Sequence, residues 1–262
     1  MVEKAYKFRF YPTPEQENLL RRTIASVRPI YNKVLSERTQ AWSEKQERIG
    51  SVQTSAMLTN WKKQVELNFL SEVSSVPLQQ NLRHLQTAFT NFFNGHTKYP
   101  NFKKKRNGGS AEFTKSAFKW KNDRVYLAKC SQLLPIRWSR QLPKSRIPST
   151  ITVNLYPFGR WFVSLRINDK RDLSLKPVKK LVGIDLEISS LLTKSDGKKV
   201  PNPKQFNQLD KKLRLAQKSL IPKTKASNNY HKARLKVAKI QIPIKDSSLD
   251  YTHKLTTQLK RS

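Results

Sequence analysis

Leu181-Val-Gly-Ile-Asp-Leu-Glu-Ile-Ser-Ser-Leu-Leu-Thr-Lys-Ser-Asp-Gly197 is the stretch whose reading decides the fold. It begins as an apolar strand, Leu181 to Leu186, with one acid, Asp185, near its C-terminal end. A second apolar run, Ile188 to Thr193, follows, and Ser195-Asp196-Gly197 is a hairpin turn signal. A carboxylate in an otherwise buried strand is costly unless something compensates it. Two readings of Asp185 therefore stand side by side. It is a ligand for a divalent cation of the kind used in phosphodiester hydrolysis, or a strand-end aspartate that accepts backbone hydrogen bonds.

The charge of the chain bears on that choice. There are 52 Lys and Arg against 18 Asp and Glu in 262 residues, a net charge of +34. Such a charge opposes compaction unless a polyanion neutralises it. It is concentrated in residues 101–262, which hold 38 basic and 10 acidic residues. Nucleic acid is the partner this pattern suggests first. Cys130 is the single cysteine, so neither an internal disulfide nor a zinc site built on several cysteines is available. The N-terminus alternates charged and apolar residues, unlike a signal peptide, and no apolar run reaches membrane-spanning length. The single cysteine suits a reducing cytoplasm.

Working outward towards the N-terminus, Ile151–Tyr156 and Trp161–Arg166 read as a hairpin about Pro157-Phe-Gly159. Shorter β runs lie at Arg124–Leu127 and Leu133–Trp138, and Trp120, Trp138 and Trp161 interleave with Lys and Arg. The region reads as a small twisted sheet or barrel. Before it, Lys98-Tyr-Pro-Asn-Phe-Lys-Lys-Lys-Arg-Asn-Gly-Gly109 sets Lys103, Lys104, Lys105 and Arg106 beside Tyr99 and Phe102. This is a phosphate clamp or a solvated loop, and the charge of the chain favours the clamp.

The first hundred residues are mainly helical in pattern. Lys4–Tyr11 alternates like a half-buried strand. Thr13-Pro-Glu-Gln16 is a capping box with Pro at the first helical position. Leu20, Ile24, Val27, Tyr31 and Val34 follow at helical spacing, with a kink expected at Pro29. A second helix is expected over about residues 54–68. A third begins at a Ser75 cap and carries Leu78, Leu82, Leu85, Phe89 and Phe92 on one core-facing stripe.

Beyond Gly197 two cationic helices are expected. The first has the seam Phe206, Leu209, Leu213, Ala216 and Leu220, decorated by Lys211, Lys212, Arg214 and Lys218. Ile221-Pro222 stops it. The second has the seam Ala233, Val237 and Ile240, surrounded by Lys232, Arg234, Lys236 and Lys239. Surface helices normally mix both signs, whereas here 13 Lys and Arg meet one acid, Asp210, between Lys198 and Lys239. Phosphate tracking explains the bias better than solvation alone.

In this order the residues resemble the TnpB/OrfB-type transposase-associated family of insertion sequences. The resemblance rests on Phe10-Tyr-Pro-Thr-Pro-Glu-Gln16, Leu78-Gln79, Leu82-Arg83, Ala88-Phe89, Phe92-Phe93, Val182-Gly-Ile-Asp-Leu186, Ser195–Lys204, Lys232–Ala238 and Asp250-Tyr-Thr-His-Lys-Leu255. It implies an α+β fold: a helical recognition region inserted in a β-rich wedge/barrel domain, then the incomplete start of a RuvC/ribonuclease H-like domain with basic helices. The expected domains are residues 1–110 (strand and helix-turn-helix-like recognition region), 111–176 (wedge) and 177–262 (nuclease-like).

The resemblance also implies RNA-guided, Mg²⁺-dependent cleavage of DNA, with DNA and guide RNA as partners and Asp185 as the first catalytic and metal-binding carboxylate. The family's later Glu, paired zinc-ribbon cysteines and final Asp have no counterpart in this sequence. Glu187 stands where the family usually has a small residue, and Pro243 interrupts a helical segment. The expectation is a C-terminally truncated protein that binds nucleic acid and has lost cleavage. Two alternatives are an endonuclease active only with a separately encoded C-terminal fragment, and an RNA-guided repressor.

Overall fold

The structure is a computed structural model and is described for residues 2–104, 108–143, 147–156, 159–169, 181–187, 189–203 and 206–259. It divides into two units, Met1–Leu173 and Ser174–Ser262.

In the first unit, strand β1 (Val2–Phe10) is followed by helices α1 (Pro14–Lys45), α2 (Ser51–Trp61) and α3 (Ser75–Phe93), with a 3-10 turn at Val65–Ser71. Strands β2 (Gly109–Thr114), β3 (Phe118–Lys121), β4 (Arg124–Leu127), β5 (Ile136–Arg137), β6 (Thr150–Tyr156) and β7 (Arg160–Asp169) come next. Five of them form one antiparallel sheet in the order β2-β6-β7-β1-β5. The helices thus fall between two strands of a single sheet. β3 and β4 make a separate hairpin.

Alternation explains the sheet. Tyr6, Phe8 and Phe10 of β1 share one face with Ala111 and Phe113 of β2, Ile151 and Val153 of β6, and Trp161, Val163, Leu165 and Ile167 of β7, and all are buried. Val125 and Leu127 from the hairpin and Leu20 and Ile24 from α1 complete this core. Leu133–Trp138, read as a strand, pairs only at Ile136–Arg137. The flanking Trp138 still packs edge-on against Phe8, with ring centroids 4.9 Å apart.

A second core lies among the helices, where Val27, Ile30, Val34 and Leu35 of α1 meet Leu58 and Trp61 of α2 and Leu78, Leu82, Leu85 and Phe89 of α3. The expected capping box is present. The Gln16 amide N–H donates to Thr13 Oγ1 (3.3 Å) and the Thr13 N–H donates to Gln16 Oε1 (3.2 Å). Gln16 is itself buried, and its Nε2 donates to the carbonyls of Gln132 (3.1 Å) and Leu133 (2.9 Å). The cap therefore also fastens α1 to the approach to β5. Helix α1 runs through Pro29 without a break. The second helix ends at Trp61 and gives way to the 3-10 turn, seven residues short of the expected end at residue 68.

In the second unit, β8 (Ile184–Asp185), β9 (Ser190–Lys194) and β10 (Lys199–Pro201) form an antiparallel sheet in the order β10-β9-β8. The turn at Ser195-Asp196-Gly197 has Gly197 at φ +81°, and the Lys194 N–H donates to the Lys198 carbonyl (2.9 Å). Helices α4 (Phe206–Leu220) and α5 (Asn228–Leu259) pack on each other as a hairpin. α5 is continuous through Pro243. No helix among the described residues is long and apolar enough to cross a membrane.

The capping box yields a measurable expectation. Thr13→Ala removes the N-cap acceptor and lowers stability by about 1 kcal/mol in urea unfolding, with an unchanged m-value.

Candidate nucleic-acid interface

The α4–α5 hairpin is shaped by its apolar seams. Leu209, Leu213, Ala216 and Leu220 recur at three- and four-residue steps and turn inwards, Ala216 being buried and the leucines half-buried. Pro222 has no N–H to continue the helix, and α4 closes with the Ile221 N–H on the Gln217 carbonyl (3.1 Å). Ser227 then caps α5, its Oγ accepting from the Tyr230 N–H (3.1 Å). Ala233, Val237 and Ile240 supply the opposing seam, with Val237 and Ala238 buried.

The cations follow from the same periodicity. At 100° per residue, Lys211, Arg214 and Lys218 form a stripe on the side of α4 opposite its seam, and Lys212 lies on the flank. On α5, Lys232, Lys236 and Lys239 form a second stripe, with Arg234 apart from them. All eight side chains are exposed, and none joins an ion pair among the described residues. Neighbouring charges within a stripe lie one helical turn apart, so two rows of about 10 Å each present cations at regular intervals. Such rows can hold successive phosphates of a nucleic-acid backbone.

The Lys103–Arg106 run behaves differently. Lys105 and Arg106 lie outside the described residues, and Lys104 is exposed. Lys103 is exposed as a residue, but its ammonium folds back onto the helices. Its Nζ donates to Asn81 Oδ1 (2.8 Å) and lies 4.0 Å from the centroid of the Tyr31 ring. Asn32 clasps its backbone, accepting from its N–H (2.8 Å) and donating to its carbonyl (3.0 Å). Asn81, buried, also donates to the Val27 carbonyl (2.6 Å). Burial holds the Lys103 ammonium below the usual lysine range and pushes the Tyr31 phenol up. Tyr99 is anchored too. Its hydroxyl lies 2.8 Å from Thr39 Oγ1, and its ring packs edge-on against Phe89 and Phe92. In this geometry Lys103 and Tyr99 fasten the loop to α1 and α3, leaving Phe102 and Lys104 facing outwards.

Asp185 stands on the edge strand β8, and both residues of that strand are exposed. The expectation of a buried strand is corrected here: Leu181 is 91% exposed and Leu186 76%. The apolar run had suggested burial, but nothing described in this chain covers it. Glu187 is engaged locally, its carboxylate accepting from Thr193 Oγ1 (2.8 Å), Ser190 Oγ (3.0 Å) and Ser189 Oγ (3.1 Å). These hydroxyls hold it below the usual carboxylate range, the Thr193 bond foremost. No group of three His, Cys, Asp or Glu side chains among the described residues could hold a metal ion. The donor set around Asp185 therefore does not fit a pair of divalent cations, which needs several carboxylates.

One cationic surface has no motif in the sequence. Lys7 and Arg9 face outwards from β1 beside Tyr156 and Phe162, and Arg137 of β5 stands opposite Arg9. Its only sequence signal is the alternation of Lys7 and Arg9 with buried aromatics.

With this geometry described, the class is an α+β protein with a helical segment inserted in an antiparallel sheet and a second unit bearing cationic helices. A family profile described as "Helix-turn-helix domain" matches residues 1–47, and one described as "Probable transposase" matches residues 164–262. A candidate RNA-guided DNA endonuclease of Streptomyces pristinaespiralis is 51% identical over 262 residues, covering 99% of this chain and 65% of that protein. The candidate RNA-guided DNA endonuclease InsQ of Escherichia coli (strain K12) is 28% identical over 260 residues, covering 99% of this chain and 64% of that protein. Both profiles and both relatives make the chain similar to the TnpB/OrfB transposase-associated family. The chain spans just under two thirds of the length of these relatives. A chain of a CRISPR-Cas12f ternary complex superposes with a TM-score of 0.36 at 15% identity, over 93% of this chain and 59% of that one, too loosely to inform the fold. Within residues 1–47 the structure has β1 and one unbroken helix, and the first helix-to-helix turn comes only after Lys45.

The folded-back ammonium of Lys103 has a pH signature. The folded chain releases the Lys103 proton at a lower pH than the unfolded chain. The unfolded state therefore binds more protons in the window up to about pH 10.4, and stability rises with pH there. Wild-type stability is expected to gain on that of Lys103→Met as pH rises from about 8 to about 10.4, measured by urea unfolding across the series.

Proposed function

We propose that this chain is a nucleic-acid-binding protein of a prokaryotic insertion sequence, which engages DNA and a guide RNA in the cytoplasm at the nucleoid and does not cleave DNA on its own. The observation that carries the reading is the α4–α5 hairpin, with its exposed cations unmatched by acids among the described residues. A folded protein keeps such a surface most readily when a polyanion covers it. The names of the two relatives, both RNA-guided DNA endonucleases, indicate which polyanions. In this reading residues 1–110 are the recognition region, 111–176 the wedge and 177–262 a nuclease-derived unit. Lys104 and the basic run it begins add a second contact.

The donor set around Asp185 supports the reading that the chain does not cleave DNA alone. Hydrolysis assisted by two cations needs carboxylates to bridge and flank them. Asp185 is exposed without such partners among the described residues, and Glu187 is held by three hydroxyls. Binding is expected to weaken steeply with salt. The triple replacement Lys211→Gln, Arg214→Gln, Lys218→Gln should reduce the slope of log K against log salt by roughly 2 to 3, because each lost phosphate contact removes about 0.7 to 0.9. A slope equal to that of wild type would remove α4 from the interface.

The exposed edge at β8 favours a second reading: an endonuclease completed by a separate polypeptide. Leu181, Ile184 and Leu186 present apolar surface beside Asp185 with nothing described upon them. Adding a polypeptide that corresponds to the remaining third of the Streptomyces relative, with Mg²⁺ and guide RNA, should then produce cleavage of matching DNA, and Asp185→Ala should abolish it. No cleavage under those conditions rules this reading out.

A further inference from the structure

Two lysine side chains converge on the start of α3. Lys62 directly follows α2, and Lys129 lies two residues beyond β4. The Lys62 Nζ donates to Ser75 Oγ, on the first residue of α3. The Lys129 Nζ donates to the carbonyl of Ser71 (3.4 Å), the last residue of the 3-10 turn before α3. Lys129 has φ +67°, a left-handed conformation that a residue with a side chain rarely adopts. Neither lysine joins an ion pair among the described residues, and Glu72, next to Ser71, is paired with Arg22. Burial first, and the Lys129 charge second, hold the Lys62 ammonium below the usual lysine range.

The helix end between these cations is uncapped. An N-cap hydroxyl ordinarily accepts from the N–H two or three residues further on. At α3 the third helical residue is Pro77, which has no N–H to give. Ser74, at the N-cap position, makes no side-chain cap bond, and its hydroxyl has no partner among the described residues. Yet Ser74 is only 7% exposed, and an enclosed hydroxyl ordinarily has a partner. Unsatisfied N–H groups at a helix start favour an anion. The free Ser74 hydroxyl and the Lys129 ammonium add to them.

We propose that Lys62 is a site of covalent acylation by small acyl phosphates, whose phosphate group is seated by Lys129, the Ser74 hydroxyl and the start of α3. The neutral Lys62 amine attacks the acyl carbon. A C–N bond forms as the C–O bond to phosphate breaks, phosphate leaves with the electron pair of that bond, and it takes up the proton lost by the nitrogen. A partly desolvated lysine beside a second cation is the kind that serves as a nucleophile. Ser75 accepts one N–H of the amine and so fixes the nitrogen. The product amide carries no charge, which ends the repulsion from Lys129. Lys63, the next residue, is exposed, and its side chain has none of these partners. The site stands independently of the proposed role in nucleic-acid binding.

The test uses the full chain, freed of nucleic acid and incubated with acetyl phosphate. Mass spectrometry of the digested protein follows acetyl occupancy with time, and Lys63 is the internal reference. Lys62 should react several-fold faster than Lys63. Inorganic phosphate, added at constant ionic strength, should slow Lys62 and leave Lys63 unchanged. With acetic anhydride, which has no anionic group to seat, the lead of Lys62 should shrink. Lys129→Gln should bring the acetyl phosphate rate at Lys62 down towards that at Lys63. The comparisons within the wild-type protein do not depend on any variant's folding. The proposal is overturned if Lys62 reacts with acetyl phosphate no faster than Lys63, if phosphate leaves its rate unchanged, or if its lead is equal with both reagents.

Discussion

The pairing of β1 with β7 is the constraint on which the first unit depends. β1 is the N-terminal strand, yet it lies inside the sheet, with β7 on one side and β5 on the other. Its register with β7 runs from Val2↔Asp169 to Arg9↔Phe162. All three helices are therefore an excursion from a sheet that closes only when distant segments meet. Closing a long loop costs little more free energy than closing a short one, since the cost grows with the logarithm of length. What makes it hold is burial: Phe8, Phe10, Val163 and Leu165 are almost inaccessible, each worth about 1.5 to 3 kcal/mol on transfer from water. The tie from Gln16 to the carbonyls of Gln132 and Leu133 secures the same junction from the helical side.

The scarce acids of this chain are used internally. Glu72 pairs with Arg22, Glu3 with Arg166 and Glu112 with His84, each joining different elements. Glu187 gathers three hydroxyls around the start of β9, and Asp196 accepts from the Lys198 N–H in the following turn (3.1 Å). The acids hold the fold while the excess cations remain at the surface. The net charge of +34 is therefore not spread as a neutralised mixture. Part of it lines α4, α5 and the outer face of the sheet, where an external anion would relieve the repulsion between like charges.

Features set by neighbours in sequence were legible from it. The Thr13–Gln16 box, the stripe on α3, the hairpin of β6 and β7 and the seams of α4 and α5 all follow from spacing within a few residues. Features set by distant partners were not. Lys103 reads as one of four cations of a phosphate clamp, but its ammonium and backbone are held by Asn81 and Asn32, which lie 22 and 71 residues away in the chain. The Arg9–Arg137 opposition exists only because β1 pairs with β5. At Asp185 the apolar run was legible and its covering was not, because a strand's hydrophobicity tells that it wants a partner and not whether the chain supplies one. Pro29 and Pro243 are a milder case: each removes one helical hydrogen bond, and the surrounding turns carry the helix through.

The position of β1 also sets the order of events at the ribosome. The strand leaves the exit tunnel before the other described elements, and its principal partner, β7, is among the last parts of the first unit to be made. At about 5 to 20 residues per second, roughly 8 to 30 seconds pass before the two can pair. During that interval Tyr6, Phe8 and Phe10 are an apolar strand without a sheet. Lys7 and Arg9 alternate with them, and charges so interleaved act as gatekeepers that keep nascent chains from joining edge to edge. The cations that face outwards in the finished sheet thus protect the chain before there is a sheet.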